Sequence, residues 1–145
     1  MPKIERSALV GQSAERMFAL VNDVAAYPRR FAWCDEAVIQ EASASRMVAR
    51  LDLGLGALRT WFTTENTLTP PESIDMQLRD GPFKSLHGRW TFTALRHDAC
   101  KVGLTLEFEP RSRLMLPALT LGFQGLADRM VDDFVRVAER EPDEP

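Results

Sequence analysis

Along the segment Leu116–Arg140 apolar side chains return every three or four positions, at Leu119, Phe123, Leu126, Ala127, Met130, Phe134, Val137 and Ala138. That is the period of an α-helix with one buried face. The opposite face carries Asp128, Arg129, Asp132, Asp133, Arg136, Glu139 and Arg140. Arg129 with Asp133, and Asp132 with Arg136, stand four apart, a spacing at which opposite charges support a helix. A helix of this kind cannot bury its stripe alone, so the alternating segments between residues 36 and 109 are expected to form the sheet that covers it.

Ahead of that sheet, residues 4–10 read as a first strand. Gly11 and Gln12 turn the chain, and Ser13 caps a helix with Glu15 in its first turn and Ala14, Met17, Phe18 and Val21 at helical spacing. Pro28 biases Tyr27 away from helical angles, which predicts a kink between two small helices. Six strands follow at 37–42, 46–53, 58–68, 74–79, 89–95 and 102–108, separated by turn material such as Ser43, Gly54, Gly56, Pro70, Gly81 and His97. Ile74, Met76 and Leu78 alternate with Asp75, Gln77 and Arg79, and Val102, Leu104, Leu106 and Phe108 alternate with Gly103, Thr105 and Glu107. Such strands leave one face of the sheet wet. Hairpin spacing without a crossover helix predicts an α+β chain in which seven antiparallel strands curl around the C-terminal helix, the first strand closing beside the last. Gly54, Gly56, Gly81 and Gly88 are candidate bends or bulges. Ser112 is a candidate helix cap, and Pro117 marks the start of the long helix or a bend in it. Residues 1–141 are expected to form one domain, with 142–145 a frayed tail.

Length adds that a chain of 145 residues buries enough surface to fold without disulfides or metals. A net charge of -3 argues against DNA as a partner and against broad phosphate binding, while leaving room for a local basic patch. The N-terminus is too polar for a secretory signal and no window reaches the length of a membrane span, so a cytoplasmic protein with Cys34 and Cys100 reduced is expected.

Candidate chemistry is sparse. His87 and His97 stand apart, and no metal-ligand spacing is present. Asp35 and Glu36 are adjacent on a strand and point to opposite faces, which makes them a poor acid–base pair. Cys34, beside Trp33, is expected to be buried and not reactive. The glycines at 54 and 56 join two antiparallel strands and do not precede a phosphate-binding helix. No catalytic residue is assigned. Arg29 with Arg30, and Arg111 with Arg113, form two basic points whose ordinary reading is solvation, and whose functional reading is a shared patch for ribosomal RNA or anionic lipid. Large apolar side chains are more suggestive: Tyr27, Phe31, Trp33, Phe83, Trp90, Phe92, Phe108, Phe123 and Met130 sit on elements that face one interior. A packed core accounts for most of them. If the helix leaves a wedge above the sheet, they become the walls of a cavity for a hydrophobic small molecule.

Several stretches in order, IERSALV, SAERMFALVNDVAAYPRRFAWC, DGPFKSLHGRWTF and LEFEPRSRLMLPALTLGFQGLADRMVDDFVRVAERE, resemble the coenzyme Q-binding START-like family, which includes bacterial ribosome-association toxin proteins. The resemblance spans residues 4–139. It implies the helix-grip fold, with a hydrophobic cavity between the sheet and the long helix. It further implies a binding protein, more than an enzyme, that shelters a polyprenylated quinone such as ubiquinone in support of respiration, with no covalent cofactor. Peripheral contact with the inner membrane would accommodate the prenyl tail. The alternative it implies is a factor that binds the large ribosomal subunit and blocks subunit association, and a cyclase-like enzyme is third. Ligand chain length and oligomeric state are not implied.

Overall fold

The computed structural model describes residues 2–140, so the tail expected to fray at 142–145 lies outside the described residues. Chain order is β1 (Lys3–Val10), α1 (Ala14–Asn22), a 3-10 turn (Val24–Ala26), α2 (Tyr27–Arg30), β2 (Cys34–Ala42), β3 (Arg46–Leu55), β4 (Leu58–Thr69), β5 (Ser73–Asp80), β6 (Phe83–Arg96), β7 (Ala99–Pro110), a second 3-10 turn (Arg113–Met115) and α3 (Leu116–Arg140). The strands form one antiparallel sheet ordered β1-β7-β6-β5-β4-β3-β2, with the first strand beside the last as the hairpin spacing predicts. This is the α+β helix-grip arrangement: α3 packs on β1, β7, β3 and β4, and α1 packs on β6, β7 and α3.

Local chemistry explains the boundaries. Ser13 accepts a hydrogen bond from the Arg16 backbone N–H at 3.0 Å and starts α1. Along β7, Cys100, Val102, Leu104, Leu106 and Phe108 are buried while the residues between them are not, so the period-two face meets α3. Gly56, at φ 69°, closes the β3–β4 turn, and Gly81, at φ 147°, closes β5–β6.

Five local expectations are corrected. Tyr27 is helical, at φ -55° and ψ -47°, because Pro28 falls in the first turn of α2, where its missing N–H leaves no bond unmade. β6 begins at Phe83, well ahead of residue 89, with Phe83 and Leu86 buried and Phe83 opposite Pro110. Ser112 makes no side-chain capping bond, while Pro117 falls in the first turn of α3, at the helix start that was one of its two expected places. Register shifts fall at Cys34/Glu36, Ile39/Glu41, Thr63/Thr64, Phe83/Ser85 and Ala94/Arg96, so Gly54 and Gly88 carry no bulge, while Gly56 and Gly81 do bend the chain, in the two turns. On α3, Asp133 pairs with Arg136 at 2.7 Å, three apart, instead of with Arg129. Its other oxygen accepts from the Trp33 indole at 3.0 Å, which fixes the carboxylate toward the core side of the helix.

Candidate functional site

The aromatic residues singled out in the sequence divide into three groups. Phe31 stacks on Trp33 at 4.8 Å between centroids, and both meet Phe134 with Tyr27 closing the cluster. Phe92 stacks on Trp90 at 6.4 Å and meets Phe18 edge-on, while Phe108 lies against Phe123 at 4.7 Å. Phe83 bridges Phe62 and Phe123, at 6.5 and 5.9 Å. All of these rings are buried. α3 therefore lies down on an aromatic layer in which two stacked pairs, Phe31 with Trp33 and Trp90 with Phe92, are joined by edge-on and tilted contacts.

Two openings accompany this layer. The inner one, about 30 Å³, is lined by Val21, Asn22, Tyr27, Thr64, Asn66 and Trp90, with Met130 from α3. That is space for a water molecule and not for a ring. The outer one, about 340 Å³, sits where three segments converge: Leu58–Thr60 at the start of β4, Pro82 and Phe83 at the start of β6, and the run from Pro110 through Met115 to Leu119 leading into α3. Its size is in the range of small-molecule sites. Phe83 is the one member of the sequence-derived cavity set in its wall, and Phe123 stands directly behind Phe83. Tyr27, Trp90 and Met130 face the inner void instead. Phe31, Trp33, Phe92 and Phe108 line neither opening.

The inner void has a polar side that the sequence reading missed. The Thr64 hydroxyl donates to Asn66 Oδ1 at 2.7 Å, both residues being buried, and Asn22 Oδ1 is buried with no protein partner. A signal was available: Phe62, Thr64, Asn66 and Leu68 share one face of β4, so two polar residues interrupt an inward apolar row.

Ionisable groups near the core are held neutral. Burial raises the Tyr27 phenol well above its ordinary range, with Cys34, once ionised, and Asp23 adding, and its hydroxyl donates to the Val21 carbonyl. Burial pushes the Cys34 thiol up to about 11, a backbone hydrogen bond to Glu36 opposing and the charges of Asp35 and Asp52 adding. Cys100 is also raised by burial, with Glu15 adding. Neither opening has a carboxylate or histidine in its wall, and among the described residues no cluster could hold a metal. Such a lining can enclose apolar matter and offer a few hydrogen bonds.

The basic residues lie on elements at opposite flanks of the sheet. Arg29 and Arg30 are on α2, which packs on edge strand β2, and Arg30 pairs with Asp23 at 3.3 Å. Arg111 and Arg113 follow β7, next to the other edge strand, β1. Arg111 stands in the wall of the outer pocket. His87, within β6, contacts Asp75 at 3.1 Å on the outer face, and Arg89 shares that carboxylate. His97 sits in the β6–β7 turn beside Asp98. Among the described residues no helix is long and apolar enough to cross a membrane.

The chain is 47% identical over 140 residues to the ribosome association toxin RatA of Vibrio cholerae, covering 97% of each chain. It is 25% identical to the mitochondrial coenzyme Q-binding protein COQ10 of Drosophila melanogaster, covering 97% of this chain and 60% of that one. Among solved structures, the solution structure of an 18 kDa protein from Caulobacter crescentus superposes with a TM-score of 0.78 at 28% identity, 97% of each chain being covered. Residues 10–135 match the polyketide cyclase / dehydrase and lipid transport family, and the chain belongs to that family.

Proposed function

We propose that this protein binds a hydrophobic small molecule, a polyprenylated quinone of the ubiquinone type, and shelters it in support of respiration. One observation carries the reading: the pocket of about 340 Å³ whose walls are Leu58, Pro82, Phe83, Met115 and Leu119, opening at the end of the aromatic layer. The similarity to a protein named for coenzyme Q binding supports the choice of ligand. Because the inner void admits only a water molecule, the ligand seats in the outer pocket, where Phe83 meets it and Phe123 backs Phe83. Tyr27, Phe31, Trp33, Trp90, Phe92, Phe108 and Met130 then act as the packed floor that keeps the ligand near the surface. A prenyl tail longer than the pocket leaves it toward solvent or a membrane; in this reading the protein works in the cytoplasm at the periphery of the inner membrane.

The test is solvent extraction of the purified protein followed by mass spectrometry, with titration by quinones of several chain lengths. Saturable binding is expected. No extractable quinone together with no saturable binding overturns the reading.

A second reading is favoured by a separate observation, the far higher identity to relatives named ribosome association toxin, at 47% against 25%. In this reading a basic surface binds the large ribosomal subunit. Arg29, Arg111 and Arg113 make no ion pair among the described residues, whereas Arg30 is engaged by Asp23, so Arg111 with Arg113 is the pair in which neither arginine is engaged. Charge reversal at Arg111 and Arg113 is expected to reduce cosedimentation with large subunits in a sucrose gradient and to flatten its salt dependence. Unchanged cosedimentation by the folded variant rules out that patch. A cyclase-like reaction finds no acid–base pair in the wall of either opening on which to build.

A further inference from the structure

The charged face of α3 does not run its full length. Between residues 114 and 127 no side chain carries a charge, and charged residues begin only at Asp128. A helix end facing water alone would show its polar residues there. Instead Leu114 is 91% exposed, Leu121 73% and Met115 39%, and Pro117 and Ala118 are exposed between them. The β3–β4 turn continues this surface: residues 53–58 are also uncharged, and Gly56, Ala57 and Leu58 share a shallow groove of about 360 Å³ with Ala118, Leu121 and Gly125. Leu58 belongs both to this groove and to the outer pocket. The apolar surface is therefore the rim of the pocket.

The rim is basic. Arg111 and Arg113 flank it upstream without an ion pair among the described residues, and Arg129 borders the groove with only a long hydrogen bond, 3.4 Å, to the Gly54 carbonyl. Arg59 is neutralised by Asp35 at 2.8 Å, and Glu109 lies beside Arg113. On a chain of net charge -3, exposed leucines bordered by uncompensated arginines form a local exception.

From this juxtaposition we infer that the collar formed by residues 111–121 of the α3 entry and the β3–β4 turn docks on an anionic lipid bilayer, with Leu114, Met115 and Leu121 in the acyl boundary and Arg111 and Arg113 at the phosphates. Charge decides between occupants. A second copy seated face to face would bring the same arginines together, and nucleic acid would pair with the arginines while leaving the leucines in water. A bilayer offers both an apolar layer and negative headgroups at the depth the collar presents. The inference goes beyond the quinone reading and does not depend on which molecule fills the pocket.

The experiment is cosedimentation of the full chain with vesicles of phosphatidylcholine alone and of phosphatidylcholine with phosphatidylglycerol. Binding is expected to the anionic vesicles and to weaken with salt. Leu114→Glu with Leu121→Glu is expected to reduce it by at least about tenfold, and Arg111→Gln with Arg113→Gln by about fivefold per arginine. All four positions are exposed, so urea midpoints should match the parent, and Leu114→Gln with Leu121→Gln supplies a pair without added charge. Equal sedimentation by parent and leucine variants, or no binding to anionic vesicles, overturns the inference. So does a concentration-dependent dimer that the leucine variants abolish in the absence of vesicle binding, which would assign the collar to a second copy. Loss of large-subunit binding by the leucine variants with no vesicle binding would assign it to the ribosome and likewise overturn it. Vesicle binding with no quinone binding would leave the collar standing and remove the quinone reading alone.

Discussion

Phe134→Ala removes the ring on which α3 and the aromatic layer meet. The side chain is 0% exposed and touches four other rings, Phe31 at 4.9 Å, Trp90 at 5.4 Å, Tyr27 at 5.5 Å and Trp33 at 6.1 Å between centroids. Deleting a buried phenyl group costs about 3–5 kcal/mol. Four edge or tilted contacts, at about 0.5–1.5 kcal/mol each before non-additivity, put this site at the upper end of that range. Collapse into the space is resisted, because Tyr27 is held by the Val21 carbonyl and Trp33 by Asp133. A loss of about 4 kcal/mol is a large share of the roughly 5–15 kcal/mol that holds a domain together. With a urea slope of about 2 kcal/mol per molar, the unfolding midpoint should fall by about 2 M. Circular dichroism and tryptophan fluorescence should report the same transition, the condition for treating it as two-state. Phe134→Leu retains most of the volume and should lose less than half as much. A fall below about 0.5 M with an unchanged slope would refute the claim that the α3–sheet contact centres on this ring.

Gly81→Ala should destabilise the β5–β6 turn by roughly 1–2 kcal/mol, because at φ 147° the new Cβ would stand 3.2 Å from the Trp61 carbonyl oxygen and 3.3 Å from the Phe62 Cα, backbone atoms that cannot swing aside. Gly11→Ala meets nothing within 4 Å and should melt like the parent; equal melting of both variants would contradict the steric account. Asp133→Ala leaves the Trp33 indole N–H without its acceptor and should cost about 1–3 kcal/mol, whereas Asp133→Asn, keeping an oxygen, should cost less in the same urea titration. For Cys34 the folded thiol stays protonated up to about 11 against an ordinary 9.0. The unfolded chain therefore releases its proton first, so stability is full below about pH 9 and declines from there toward pH 11. Cys34→Ala should flatten part of that decline, leaving the parts due to Cys100 and Tyr27, and an unaltered pH profile would show that the Cys34 thiol is not the cause.

The order of elements was legible because each strand and helix carries its own period: β7 alternates cleanly, and the stripe from Leu119 to Ala138 fits one helix face. β6 was read short because Lys84, Ser85 and His87 interrupt the apolar signal, although a register shift between Phe83 and Ser85 still keeps Phe83 and Leu86 inward. The aromatic set was found by size and hydrophobicity, which locate the interior but not the space left within it. The outer pocket is made by residues near 58, 82 and 110–119, and no local pattern records that these three segments converge. Leu114 and Leu121 were passed over for a related reason: an apolar residue on a helix looks the same in sequence whether it is covered or exposed.

The central claim is that a hydrophobic ligand seats in the outer pocket. The most direct measurement is photolabelling with a short-chain prenylated quinone bearing a photoreactive group, competed with unlabelled quinone, and peptide mapping by mass spectrometry. Saturable, competed labelling should fall on Leu58 to Thr60, Pro82 and Phe83, and Met115 to Leu119, the walls of the pocket. Labelling that no unlabelled quinone displaces, or that falls instead on remote exposed residues such as Leu9 and Leu95, would contradict the account.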